Sequence, residues 1–125
     1  MEVKINNQDK LESMLNREQE LKHIGNIYGE SNAADEFLDL THSEKIVLLA
    51  WVTDKLQKQK SINYNESSYG LKHKFEKSPF GFYVSNGQFK GAMYLADFHV
   101  KNLYVLNWNF NISSSSCKQL DNYYD

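Results

Sequence analysis

Apolar residues recur at steps of three and four near the start of the chain, and acidic side chains fill many of the positions between them. This pattern is typical of an amphipathic helix, which buries one side and leaves the other in water. It predicts a helix over residues 8–26 with an acidic outer face, followed by a loop at 29–37. The apolar residues that define the inner face are Leu11, Met14, Leu15, Leu21, Ile24 and Ile27.

A second helix is predicted over residues 43–59. Thr41 and Glu44 have the spacing of a capping box, in which each side chain satisfies the other residue's backbone N–H. Residues 46–52 are apolar almost without interruption. We therefore expect this helix to be the central buried element, with the lysines near its end complementing the helix dipole.

Three shorter elements are predicted next, namely a helix at 67–77, a strand at 80–84 and a helix at 86–97. Ser85 and Gln88 repeat the capping-box spacing and mark the start of the last of these. Its inward stripe is predicted to be Phe89, Ala92, Met93 and Ala96. Its outward positions are predicted to be Asn86, Gln88, Lys90, Tyr94 and Asp97.

The final strand is predicted over residues 104–112, where large apolar side chains alternate with residues that are mostly asparagine. Strict alternation indicates a sheet with one covered face and one wet face. The natural partner for this strand is the segment 80–84. Residues 113–125 are predicted to form a polar tail.

The order of elements predicts an α+β fold that is mainly helical. Residues 1–112 are expected to form a single compact domain, in which 8–26 is an acidic helix and 43–112 is a helix-turn-helix-like core. The small antiparallel sheet beside that core gives a winged-helix-like layout.

Composition narrows the choice of function classes. The chain has 125 residues with 41% hydrophobic and 24% charged content, which is typical of a folded globular domain. Its single cysteine, Cys117, excludes a disulfide framework within one chain. Residues 1–50 hold ten acidic and five basic residues, whereas 51–125 hold six acidic residues and nine lysines. The second part therefore tolerates contact with phosphate better than the first does.

Motifs of enzyme chemistry are missing from the sequence. It contains no phosphate-binding glycine loop, no nucleophile elbow and no pair of histidines at metal-ligand spacing. We therefore expect no enzymatic activity, no cofactor and no metal. No apolar run is long enough to span a bilayer, and the first ten residues lack the apolar centre of a signal peptide, so a cytoplasmic location is expected.

The remaining signal is a surface of lysines, aromatic residues and amides in and around the core. Lysines attract phosphate, and Asn or Gln can pair with adenine. Arginine is the residue that most often contacts guanine specifically. The chain's one arginine, Arg17, lies in the acidic helix, which argues against sequence-specific recognition of guanine. Tyrosines suit a protein–protein interface equally well. The candidate binding residues are Lys58, Lys60, Tyr69, Lys72, His73, Lys74, Lys77, Asn86, Gln88, Lys90 and Tyr94.

A longer block of sequence carries a resemblance. YGLKHKFE, GFYVSNGQFKGAM and LNWNF follow one another within residues 67–113. This block resembles small proteins encoded by phages, plasmids and other mobile elements of low-GC Gram-positive bacteria. The resemblance implies an inhibitor of host defence of anti-CRISPR type, acting in the cytoplasm of a bacterial host cell.

Three hypotheses follow from these observations. The first is a non-enzymatic inhibitor that binds a type II CRISPR effector nuclease, or its guide RNA complex, and blocks DNA binding or cleavage. The second is a winged-helix-like transcriptional regulator that binds duplex DNA. The third is an adaptor that pairs with a copy of itself, so that both a monomer and a homodimer remain open.

Overall fold

The computed structural model describes residues 2–24 and 31–124, with side chains described over 8–24 and 31–120. The helices are α1 (Glu2–Asn16), α2 (His42–Lys55), α3 (Ser68–Lys77), α4 (Asn86–Leu95) and α5 (Ser114–Tyr124). Two 3-10 helices, Glu18–His23 and Ala34–Asp39, lie between α1 and α2. The strands are β1 (Lys58–Asn63) and β2 (Phe110–Ile112). Within this described part of the chain, no helix combines the length and the apolar content that crossing a membrane requires.

Helix α4 is the centre of the fold. Its buried residues are Asn86, Gly87, Phe89, Lys90, Gly91, Ala92, Met93 and Leu95. Gly87 and Gly91 lie one turn apart; Gly87 faces Ala33 and Gly91 faces the 3-10 helix Ala34–Asp39, both at very short range. A Cβ atom at Gly91 would lie 2.6 Å from Cβ of Phe37. The expectation that the helix at 43–59 is the central element is therefore wrong, because α4 is covered on nearly all sides.

Helix α2 packs against α4 with one side only. Leu48, Leu49 and Val52 are fully buried there, and the ring of Trp51 meets Phe75 edge-on at a centroid distance of 5.4 Å. The other side of α2 is half-buried. The predicted capping box is confirmed, since the Thr41 hydroxyl accepts from the Glu44 backbone N–H and the Glu44 carboxylate accepts from the Thr41 N–H.

The sheet differs from the predicted one. β1 and β2 are antiparallel, with Lys58 opposite Ile112, Asn63 opposite Phe110 and an irregular register between the two pairs. Residues 58–59 were predicted as helix and 61–63 as a connection, yet they belong to β1. Val100 forms an isolated bridge on the other side of Phe110.

The segment 80–84 is not a strand. The backbone N–H of Val84 donates to the Glu76 carboxylate at 3.1 Å, where in a sheet it would donate to a carbonyl of a neighbouring strand. The predicted strand 104–112 contracts to β2 because the Leu106 carbonyl accepts from the side chains of Asn86 and Lys90. Tyr104 and Leu106, expected on the covered face, are exposed.

Both ends of the chain also depart from expectation. The helix predicted at 8–26 is observed as α1 followed by the 3-10 helix Glu18–His23, and Ile27 lies outside the described residues. Residues predicted as a polar tail form α5, in which Cys117 and Leu120 are buried.

The α+β, mainly helical class with a small antiparallel sheet is confirmed. The winged-helix-like layout is not. A recognition helix must expose one face to a DNA groove, whereas α4, which occupies that place in the sequence, is buried.

Candidate protein-binding surface

The start of α3 is fixed to the segment that precedes β2. Ser68 is fully buried; its backbone N–H donates to the Trp108 carbonyl at 2.8 Å, and its hydroxyl accepts from the Trp108 N–H at 3.0 Å. The hydroxyl of Ser67 caps the helix by accepting from the Gly70 N–H. Tyr69, the next residue, is half exposed. Because the hydrogen bonds of Ser67 and Ser68 fix the start of the helix, the backbone that carries Tyr69 is held in place.

Glu76 ties α3 to the extended segment before α4. Its carboxylate accepts from the Lys72 ammonium at 2.9 Å, from the Val84 N–H at 3.1 Å and contacts Nδ1 of His73 at 3.0 Å. Burial alone would raise the pKa of Glu76, but these hydrogen bonds and the Lys72 charge outweigh it, so the pKa lies below its usual value. The carboxylate is therefore ionised at neutral pH and holds Lys72 in place.

The Lys72 ammonium lies beneath two exposed tyrosine rings. It is 4.8 Å from the centroid of Tyr83 and 5.7 Å from that of Tyr69, distances at which a cation is attracted to a ring face. The Tyr69 ring also meets His73 edge-on at 4.5 Å. These contacts bring the two tyrosines to one part of the surface and restrict their motion.

The loop at 101–107 is attached at the same end of the molecule. The side-chain amide of Asn86 donates to the Leu106 carbonyl at 3.1 Å. The Lys90 ammonium donates to the same carbonyl at 3.0 Å and to the Asn32 carbonyl at 2.8 Å. The loop therefore crosses the amino-terminal end of α4 and presents Tyr104 and Leu106 to solvent.

Lys90 is buried against Trp108, with its ammonium 4.6 Å from the indole ring. Burial lowers the pKa of Lys90 to about 8 because desolvation disfavours the charged form. The side chain is thus an internal connection between α4 and two loops.

Four exposed side chains define what we call the tyrosine face: Tyr69, Tyr83, Tyr104 and Leu106. The backbone at or beside three of them is held by hydrogen bonds, at Ser68, Val84 and Leu106, whereas the Tyr104 N–H donates to the nearby Asn102 side chain. Rigid aromatic side chains lose little conformational entropy when they are covered. The face is therefore suited to contact with another protein.

The candidate binding residues from the sequence do not form one surface. Lys58, Lys60, Tyr69 and Lys77 are exposed; His73, Lys74, Gln88 and Tyr94 are half-buried; Lys72, Asn86 and Lys90 are buried. The expected exposure of the last three is wrong, since each of these polar groups has partners inside the protein. Asn86 cannot reach an adenine edge because it is buried and its amide N–H groups are shared among three acceptors, namely the side-chain oxygens of Asn32 and Asn107 and the Leu106 carbonyl.

Two of the remaining candidates also have internal roles. The Gln88 carbonyl oxygen accepts from the Ser85 N–H in the capping box of α4, and the Lys74 ammonium lies 3.9 Å from the Glu66 carboxylate. Tyr83, Tyr104 and Leu106 were absent from the candidate set. The apolar run 103–106 carried a signal for two of them, because four consecutive apolar residues cannot all lie on one face of a strand.

The chemistry available on this face is that of recognition. Phenol hydroxyls and ring faces supply hydrogen bonds and apolar contact. Among the described side chains, no group of three His, Cys, Asp or Glu residues is arranged to hold a metal ion. Comparison of the chain with protein-family models, with curated proteins and with solved structures gives no match.

Proposed function

We propose that the chain is a non-enzymatic binding protein that inhibits a host defence nuclease by direct contact. Its most concrete form is an anti-CRISPR protein that binds a type II effector and blocks DNA binding or cleavage. The observation that carries the binding role is the tyrosine face. The class of target rests on the resemblance of residues 67–113 to proteins of phages and other mobile elements.

Exposure and rigidity support contact through this face. Tyr83 and Tyr104 are 73% and 65% exposed, so a partner that covers them removes a large aromatic area from water. Tyrosine is enriched among the residues that dominate binding energy. The Lys72–Glu76 ion pair lies beneath the rings, so a partner meets aromatic surface without having to desolvate that pair.

Charge supports a second contact with the same kind of target. Residues 1–50 carry a net charge of −5, from ten acidic and five basic residues, and Glu12, Glu20 and Asp39 are exposed. Nucleases hold nucleic acid in positively charged channels. An acidic surface is attracted to such a channel and competes with the phosphate backbone for it.

A cleavage assay with purified type II effectors tests the proposal. The protein is expected to suppress cleavage of target DNA at a small molar excess. The double variant Tyr69→Ser/Tyr83→Ser is expected to need at least a roughly thirtyfold higher concentration for the same suppression, which corresponds to about 2 kcal/mol of lost contact. The readout is the concentration that halves the cleavage rate.

Tyr64→Ser is the matched control. Tyr64 is 64% exposed and follows β1, outside the tyrosine face, so this variant should inhibit as the unchanged protein does. Unchanged cleavage by several effectors at large excess would refute the nuclease target. Equal loss of inhibition in the control variant would remove the tyrosine face from the proposal.

A DNA-binding regulator is the second candidate, and one observation favours it. Lys58, Lys60 and Lys101 are exposed along the small sheet, and neither β1 nor the segment 99–101 contains an acidic residue. Binding of duplex DNA at about 50 mM salt that falls steeply as salt rises would support this function. Lys58→Glu/Lys60→Glu should then abolish binding, and absence of binding by the unchanged protein at that salt excludes this candidate.

A further inference from the structure

An apolar groove of about 590 Å³ lies between α1, α2 and the end of α3. Half-buried residues of α2 form its floor, and Leu11 of α1 and Phe75 of α3 contribute to its sides. Three charged residues also line it, namely Lys10, Asp54 and Lys55. The apolar residues of its floor are Ile46, Val47 and Ala50.

The groove exists because α2 is apolar on two sides. Leu48, Leu49 and Val52 face α4, where they are fully buried. Ile46 and Val47 point away from that contact, and α1 covers them only in part. A helix that is apolar around most of its circumference requires cover on both sides, and the described residues supply full cover on one side only.

Phe80 stands at the rim of the same groove. It is 82% exposed and is the most exposed large apolar side chain among the residues that the structure describes. Such a side chain forfeits most of the free energy that burial of a phenylalanine supplies. Its position on the rim places an exposed apolar projection beside an apolar depression.

The turn that carries Phe80 is rigid. The Ser78 hydroxyl donates to the Phe75 carbonyl at 2.6 Å, and the Gly81 N–H donates to the Ser78 carbonyl at 2.9 Å. Gly81 lies so close to α3 that a Cβ atom there would be 2.0 Å from the Phe75 carbonyl oxygen. The backbone that carries Phe80 is therefore ordered before any partner arrives, which lowers the entropic cost of inserting its ring into a partner.

We infer that the groove binds a second copy of this chain, with each copy inserting Phe80 into the groove of the other. A two-fold interface brings the same surface of both copies together. The Phe80 ring of each copy then enters the groove of the other, so the same contact forms twice. The charges at the rim fit this arrangement. Asp54 lies 3.4 Å from the Lys55 ammonium of its own copy, but its side chain is 74% exposed, so its carboxylate can also accept Lys10 of the other copy. A partner whose facing charges all had one sign would repel either the lysine or the aspartate.

The mass in solution tests this inference, and the measurement requires no nuclease. Light scattering or sedimentation over a roughly hundredfold range of concentration should show a monomer that becomes a dimer. Phe80→Ser is expected to raise the dissociation constant at least about a hundredfold, since it removes two buried rings from each dimer. Because Phe80 is exposed, the variant should unfold at the same temperature as the unchanged protein when both are dilute.

A mixing experiment separates this interface from other modes of dimerisation. Phe80→Ser lacks the projection and keeps the floor of the groove on α2, whereas Ala50→Trp fills the groove and keeps the projection. Each variant alone should be monomeric, and an equimolar mixture should form a heterodimer that retains one of the two contacts. Tyr64→Ser should dimerise as the unchanged protein does.

A monomer at every concentration overturns the inference. A dimer that Phe80→Ser leaves intact overturns it equally, since that dimer uses another surface. Neither result bears on inhibition through the tyrosine face, so the two proposals fail separately.

Discussion

Replacement of Gly87 by alanine is expected to lower the free energy of unfolding by about 3 kcal/mol. A Cβ atom at this position would lie 2.2 Å from the Ala33 carbonyl oxygen and 2.7 Å from the Ala33 nitrogen. Both are backbone atoms, and the Gly87 N–H also donates to the Ser31 carbonyl at 2.9 Å. Relief of the clash therefore requires α4 to move away from the segment that packs on it, which opens the core.

Gly70→Ala is the matched control. Gly70 lies in α3, and no heavy atom is within 4 Å of the position that its Cβ would occupy. Alanine is the better helix former by roughly 1 kcal/mol, so this variant should be slightly more stable than the unchanged protein. Urea unfolding followed by circular dichroism measures both changes. A Gly87→Ala variant within about 0.5 kcal/mol of the unchanged protein would show that α4 does not pack this closely.

The start of α4 was predictable from the sequence, but its close packing was not. Ser85 and Gln88 form the capping box that their spacing predicted, because a cap depends on residues that are near one another in the chain. The pair Gly87 and Gly91 carries no hydropathy signal. Its role depends on the segment around Ala33, more than fifty residues earlier, which only the folded chain brings against α4.

The sheet shows the same division between local and distant causes. Alternation predicted a strand that ends at Ile112, and its last three residues do pair. The preceding part forms a loop because side chains from α4 take the Leu106 carbonyl. β1 was missed because its sequence, KQKSIN, is mostly polar. It contains one β-branched residue, Ile62, and none of the aromatic residues that also mark strands.

The candidate binding residues failed for a different physical reason. Lysine is almost never fully buried unless it is paired, so Lys72 and Lys90 were expected at the surface. Each has its partners within the chain, Glu76 for Lys72 and two backbone carbonyls for Lys90. A sequence alone does not show which lysines have such partners.

The contribution of Lys90 to stability is expected to increase as the pH rises from about 8 to about 10.5. Burial against Trp108 lowers the pKa of Lys90 to about 8 in the folded protein, whereas the unfolded chain keeps the ordinary value near 10.5. Between these two pH values the unfolded state binds more protons than the folded state, so the free energy of unfolding increases with pH. Below about pH 8 both states are protonated and the contribution is constant.

The size of this effect has an upper limit of about 3 kcal/mol, because one pKa unit corresponds to about 1.4 kcal/mol. It is measured as the difference in unfolding free energy between the unchanged protein and Lys90→Met, at several pH values across this range. Subtraction removes the titration of the tyrosines and of the other lysines, which both proteins share. Lys60→Met removes the same charge from an exposed position and measures the effect of net charge alone.

As the pH rises from about 8 to about 10.5, the unfolding free energy of the unchanged protein is expected to increase by roughly 2–3 kcal/mol relative to that of Lys90→Met. The neutral amine continues to donate to the carbonyls of Asn32 and Leu106, so deprotonation removes the cost of a buried charge and keeps the hydrogen bonds. Titration of the Lys90 Cε resonance by NMR reports the same pKa without unfolding. A difference that is independent of pH, together with a resonance that titrates near 10.5, would contradict the burial of this ammonium and with it the attachment of the tyrosine-bearing loop to α4.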